Sequence, residues 1–136
     1  MTSAELARSY IWKAETRIDA LEALLRRNNF SDVVREAQET VELALKGMLR
    51  AVGVEPPKHD DVGGLLAEHR ERFPKDIRPQ LRRAAEISKR LRKEREIAFY
   101  GDVDFIPTEE YSSDDGRRAL EDAKWVVELA KKVLVK

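Results

Sequence analysis

The chain has 136 residues and no cysteine, and its 26 Lys and Arg are balanced by 26 Asp and Glu. A single domain over residues 1–136 is expected at this length, burying roughly two-thirds of the surface its unfolded chain exposes. The missing thiols exclude a disulfide scaffold, a thiolate metal site and a cysteine nucleophile. The zero net charge exerts no global pull toward nucleic acid or a membrane surface. No apolar run approaches the roughly 18 residues of a membrane span, and no signal-peptide pattern opens the chain, so a soluble cytoplasmic protein without membrane association is expected.

Helical periodicity then runs through the chain. Ala7, Tyr10, Ala14, Ile18, Leu21 and Leu25 recur every three or four residues, which predicts an amphipathic helix. Thr2 and Glu5 have capping-box spacing, so it starts near Ser3, and Asn28-Asn29 ends it. Val34, Ala37, Val41, Leu45, Met48 and Val52 make a second stripe, with Ser31 as the expected N-cap and Gly53 as the stop. Each of these helices is about 22 residues, or roughly 33 Å. A shorter helix is predicted from Val62 to about Arg72, ended by Phe73-Pro74. A third long one begins near Asp76, with Pro79 tolerated in its first turn. Its stripe reads Ile77, Leu81, Ala84, Ile87, Leu91 and Ala98, and Gly101 closes it. Residues 101–113 read as an acidic irregular loop. Ser112 or Ser113 then caps a last helix striped by Leu120, Ala123, Val127, Ala130 and Leu134, with Asp114 and Asp115 where the helix dipole favours acids. No segment alternates with the period of a strand. The fold class predicted is all-α: an up-and-down four-helix bundle with one additional short helix.

The third long helix carries the most informative chemistry. Arg82, Arg83, Lys89, Arg90, Arg92, Lys93 and Arg95 face only Glu86 and Glu94 in the same window. This neutral protein therefore concentrates positive charge on one helix, a ridge able to attract phosphates. Solvation of an exposed face by long charged side chains is the plainer alternative. Arg95 differs from its neighbours, because at 100° per residue it lies about 40° from Leu91 and 60° from Ala98, on the apolar stripe. A guanidinium there needs a partner: an internal carboxylate, a second subunit or a bound phosphate. A homodimer is the expectation this placement raises.

Three stretches together resemble the HEPN domain family. They are Arg95-Glu96-Ile97-Ala98-Phe99-Tyr100-Gly101-Asp102, the helix from Ser31 to Lys46, and the His59-Asp60 loop, and the resemblance spans about Ala4 to Leu134. It implies a helical bundle, often a homodimer, that binds a nucleotide or RNA; it calls for no cofactor and no metal. Many such domains are metal-independent endoribonucleases, often toxins paired with a nucleotidyltransferase partner protein. Their signature is an arginine followed after four to six residues by a histidine. On that mapping the catalytic candidates are Arg95, Glu96 and Tyr100, with Tyr100 standing where the histidine belongs. Histidine suits proton transfer near neutral pH, whereas tyrosine titrates near 10. The resemblance therefore points to a nucleotide- or RNA-binding module without strong catalysis, using Arg92, Arg95, Tyr100, Asp102 and His59 as the ligand-binding set. A ribonuclease toxin and a pure interaction module are the two rivals.

Two further features have simpler readings. His59-Asp60-Asp61 is accounted for by capping of the short helix. Trp12, Trp125 and Tyr10 are expected in the core or an interface.

Overall fold

The computed structural model describes residues 3–135 apart from 57, 59–61 and 100–105, and for 96–99 the backbone only. Helix α1 (Ser3–Arg26) buries one stripe, built on Ala7, Ile11, Ala14 and Leu21. Helix α2 (Phe30–Ala51) is buried much further round its circumference, with Val33, Ala37, Thr40, Val41, Ala44, Leu45, Met48 and Leu49 all inside. A helix so widely apolar must be covered from several sides. Helices α1, α4 (Arg78–Phe99) and α6 (Ser113–Leu134) provide that cover, and α6 also packs along α1. The result is the expected all-α bundle with α2 at its centre. The short helix α3 (Val62–Glu68) closes one end against α4. Among the described residues there is no strand, and no helix is long and apolar enough to cross a membrane.

The turns follow from local chemistry. Asn28 ends α1 with φ of 60°, and the amides of Asn28 and Asn29 donate to the carbonyls of Leu25 and Leu24. This is a Schellman ending, with asparagine tolerating the left-handed residue. Gly53 (φ 82°) ends α2 the same way, its amide and that of Val54 donating to Arg50 and Leu49. Where α1 crosses α2, Gly47 allows the close approach, since a Cβ there would lie 2.5 Å from Ile11 Cγ1.

Four boundaries differ from expectation. The N-cap of α2 is Asn29, whose side chain accepts from the Asp32 amide; Ser31 is buried inside the first turn instead. The helix must start by Phe30 because that ring and Leu25 pack over Gly116 of α6. The predicted helix 62–72 divides into α3 and a 3₁₀ turn, Arg70–Arg72. Its tighter winding delivers Phe73 into the core. Helix α4 starts at Arg78, two residues after Asp76, because Ile77 is still held in a turn by the Pro74 carbonyl. Within the expected loop 101–113 lies a one-turn helix, α5 (Pro107–Glu110), opened by Pro107. Helix α6 begins as anticipated, with Ser112 and Asp115 forming a reciprocal capping box. It buries more than its predicted stripe, adding Val126, Leu129 and Val133, because it faces both α1 and α2.

Candidate phosphate-binding groove

The basic ridge of α4 divides once its side chains are placed. Arg82 pairs with Glu86 at 3.4 Å along the exposed helix face. The Arg83 guanidinium stacks 4.2 Å above the Trp125 ring of α6, and Arg90 pairs with Asp122 of α6. These contacts join α4 to α6. Lys89 and Lys93 remain on the solvent side and have no ion pair among the described residues. They are positive charges without a fixed direction. Arg92 is exposed one turn before Arg95.

Arg95 lies apart from the ridge, on the α2 side. Its stripe position suggested burial, yet the side chain is 51% exposed. Here α4 borders an open groove rather than the packed core. The groove is about 240 Å³ and is lined by Arg17 of α1, Glu39, Glu42, Leu43 and Lys46 of α2, and Arg95. Glu39 is its hub. The Arg17 Nη1 donates to Glu39 Oε2 at 3.1 Å. Arg95 Nη2 lies 3.6 Å from Glu39 Oε1, and Arg35 Nη2 lies 3.7 Å from the same oxygen. Arg17 also reaches Glu36 at 3.5 Å, Arg35 pairs with Glu36, and Lys46 lies 3.7 Å from Glu42. One of the three partners envisaged for Arg95, an internal carboxylate, is thus present.

Geometry limits what that carboxylate does. At 3.6 Å the Arg95–Glu39 contact is beyond hydrogen-bonding distance. A half-exposed pair of this kind contributes at most about 1 kcal/mol. Arg95 therefore lines an open groove that Arg17 and Lys46 also line, with no hydrogen bond to Glu39. Three cations outnumber two carboxylates along that lining.

Of the residues expected at the site, Arg92 and Arg95 share one end of α4. Glu96 lies on the same helix with its side chain outside the described residues, and Tyr100, Asp102 and His59 lie outside them altogether. Arg17, Arg35, Glu39 and Lys46 were not anticipated. The i,i+4 pairing of Arg35 with Glu39 was visible in the sequence, but nothing in it shows that the edges of α1, α2 and α4 converge.

A second polar cluster sits across α4. The Tyr111 hydroxyl donates to Glu94 Oε2 at 2.5 Å beside a cavity of about 110 Å³ that Val34, Leu91 and Arg118 also line. Burial first, then the hydrogen bond to Glu94, hold this phenol well above its ordinary value of 10. It is therefore a neutral donor and not a base.

The sequence matches the HEPN domain family over residues 7–133. The chain belongs to the HEPN family. Two solved structures share the fold of this HEPN chain. One is TT1696 from Thermus thermophilus, with a TM-score of 0.73 and 22% identity over 93% of this chain and 96% of that one. The other is ST0689, described as an archaeal HEPN homologue, with a TM-score of 0.70 and 22% identity over 94% and 97% of the two chains. No curated protein matches by sequence.

Proposed function

We propose that this HEPN chain is a nucleotide- or RNA-binding module that seats phosphate at the Arg92–Arg95 end of α4, without strong catalysis. The observation that carries the reading is Arg95, half-exposed at the edge of an open groove, only loosely held by Glu39, with Arg17 and Lys46 alongside. A guanidinium offers a planar, bidentate match to phosphate, and positioning it on a helix lowers the ordering cost of binding. Weak catalysis follows from Tyr100 in the histidine place of the family signature.

The test is isothermal titration with a nucleoside triphosphate and with a short RNA at about 50 and 200 mM salt. Affinity is expected to fall steeply with salt through counterion release. Arg95→Ala is expected to cost about 1.5–3 kcal/mol, the range of a charge-assisted hydrogen bond, and Lys89→Ala much less. The Arg95–Glu39 contact also favours a second reading, a pure interaction module. On that reading wild type binds neither ligand at low salt, and Arg95→Ala changes only the melting temperature or assembly. No cleavage of structured RNA is expected; EDTA-resistant cleavage abolished by Tyr100→Phe would establish a nuclease instead.

A further inference from the structure

Two carboxylates, Glu39 and Glu42, line the groove beside its three cations, although a carboxylate repels phosphate. Glu39 has a clear task, since it gathers Arg17, Arg35 and Arg95. Glu42 is held differently. Its Oε2 accepts from the Gln38 side-chain amide at 2.8 Å, while its Oε1 lies 3.7 Å from Lys46 Nζ, beyond hydrogen-bonding distance. Gln38 is 3% exposed, so its amide is fixed by packing and fixes the carboxylate in turn. The other half of that amide, Oε1, is buried without a hydrogen-bond partner among the described residues. An unpaired buried acceptor destabilises a fold. Gln38 therefore serves the orientation of Glu42 at the groove better than it serves stability.

We propose that Glu42 and Lys46 read the base of a bound nucleotide and select guanine, an inference that rests on the phosphate-binding reading of the same groove. Along α2 the two side chains present a cation and then two carboxylate oxygens. The Watson–Crick edge of guanine presents the complement: the O6 acceptor, then the N1–H and N2–H donors. Lys46 donates to O6, Glu42 Oε1 accepts from N1–H, and Oε2 accepts from N2–H with its remaining lone pair. Adenine reverses the order, setting its N6 amine against the ammonium and its N1 lone pair against the carboxylate. Cytosine and uracil each place an acceptor where one of the two donors is needed. Rejection by unpaired and like-polarity groups discriminates more sharply than any difference in apolar contact. Leu43, the apolar side chain in the lining, offers a surface for the purine face, and Arg17 and Arg95 are left for the phosphates.

Isothermal titration at low salt with guanosine, inosine, adenosine and cytidine triphosphates tests the assignment. Inosine lacks only the N2 amine, so its triphosphate should bind about tenfold more weakly than guanosine triphosphate, the loss of one hydrogen bond to a charged group. Adenosine triphosphate should bind about a hundredfold more weakly, having lost both. Glu42→Gln presents one acceptor and one donor, the complement of adenine, and should reverse the order of the two purines. A purely structural Glu42 would not produce that reversal. Gln38→Met keeps the length of the side chain and removes the unpaired carbonyl, so it should melt above wild type while losing part of the guanine preference. Arg95→Ala should weaken all four ligands by the same factor, because phosphate is common to them. Equal affinity for the four triphosphates, with Arg95→Ala weakening each, overturns base selection and leaves the phosphate site standing. A guanine preference that persists in Glu42→Gln overturns it as well. Binding of none of the four overturns both readings.

Discussion

Two glycine-to-alanine substitutions should move stability in opposite directions. In a helix interior the exchange is worth up to about 1 kcal/mol in favour of alanine. At Gly64 in α3 an added Cβ meets nothing within 4 Å, so Gly64→Ala should retain most of that gain, about 0.5–1 kcal/mol. At Gly47 the same Cβ would lie 2.5 Å from Ile11 Cγ1, 3.1 Å from its Cδ1 and 3.3 Å from the Ala7 carbonyl oxygen. Ile11 is 3% exposed inside the core, so relieving the contact means displacing a packed core side chain. Overpacking of this kind costs about 1–3 kcal/mol. Set against the propensity gain, Gly47→Ala should be destabilising by about 1 kcal/mol. Urea unfolding with a common m-value reads both changes, and thermal melts should separate the two variants by several degrees. Ile11→Ala supplies the internal control. It should cost markedly less in the Gly47→Ala background than in wild type, with a coupling of about 1 kcal/mol or more. If Gly47→Ala raises the midpoint as Gly64→Ala does, α1 and α2 separate at no cost and the close crossing is not a determinant of the fold.

Ser112→Ala removes the capping box of α6 and should cost about 1 kcal/mol, measured by urea unfolding. The phenol of Tyr111 is raised in the folded state, chiefly by burial and then by Glu94; its stabilising effect is complete below pH 10 and lost as the pH rises above it. Stability should therefore decline on alkaline titration, and Tyr111→Phe should flatten that decline above about pH 10 on thermal melts. A double-mutant cycle on Arg90→Met and Asp122→Ala should give a coupling of about 1 kcal/mol or less that shrinks when salt is raised to about 1 M.

The residue pattern alone carried the helical class, the four long elements and the capping of α6 by Ser112, because apolar period and cap chemistry are local properties. It also drew attention to Arg95. It misplaced the start of α2, since Ser31 and Asn29 are both competent caps and only the seating of Phe30 over Gly116 chooses between them. The angular reading sets Arg95 beside Leu91 on the helix, but whether such a position meets core or an open edge depends on which helices flank it. The convergence of Arg17, Arg35 and Arg95 on Glu39 depends on the same circumstance. Those side chains come from three helices, each with an ordinary charged face, and their proximity is set by the crossing of α1 and α4 on α2. Likewise the sequence assigned Trp12 to core or interface, and only the packing shows that α1 turns it outward. A helix's apolar period specifies which face it buries; which charges its edges bring together is decided by the neighbours it is buried against.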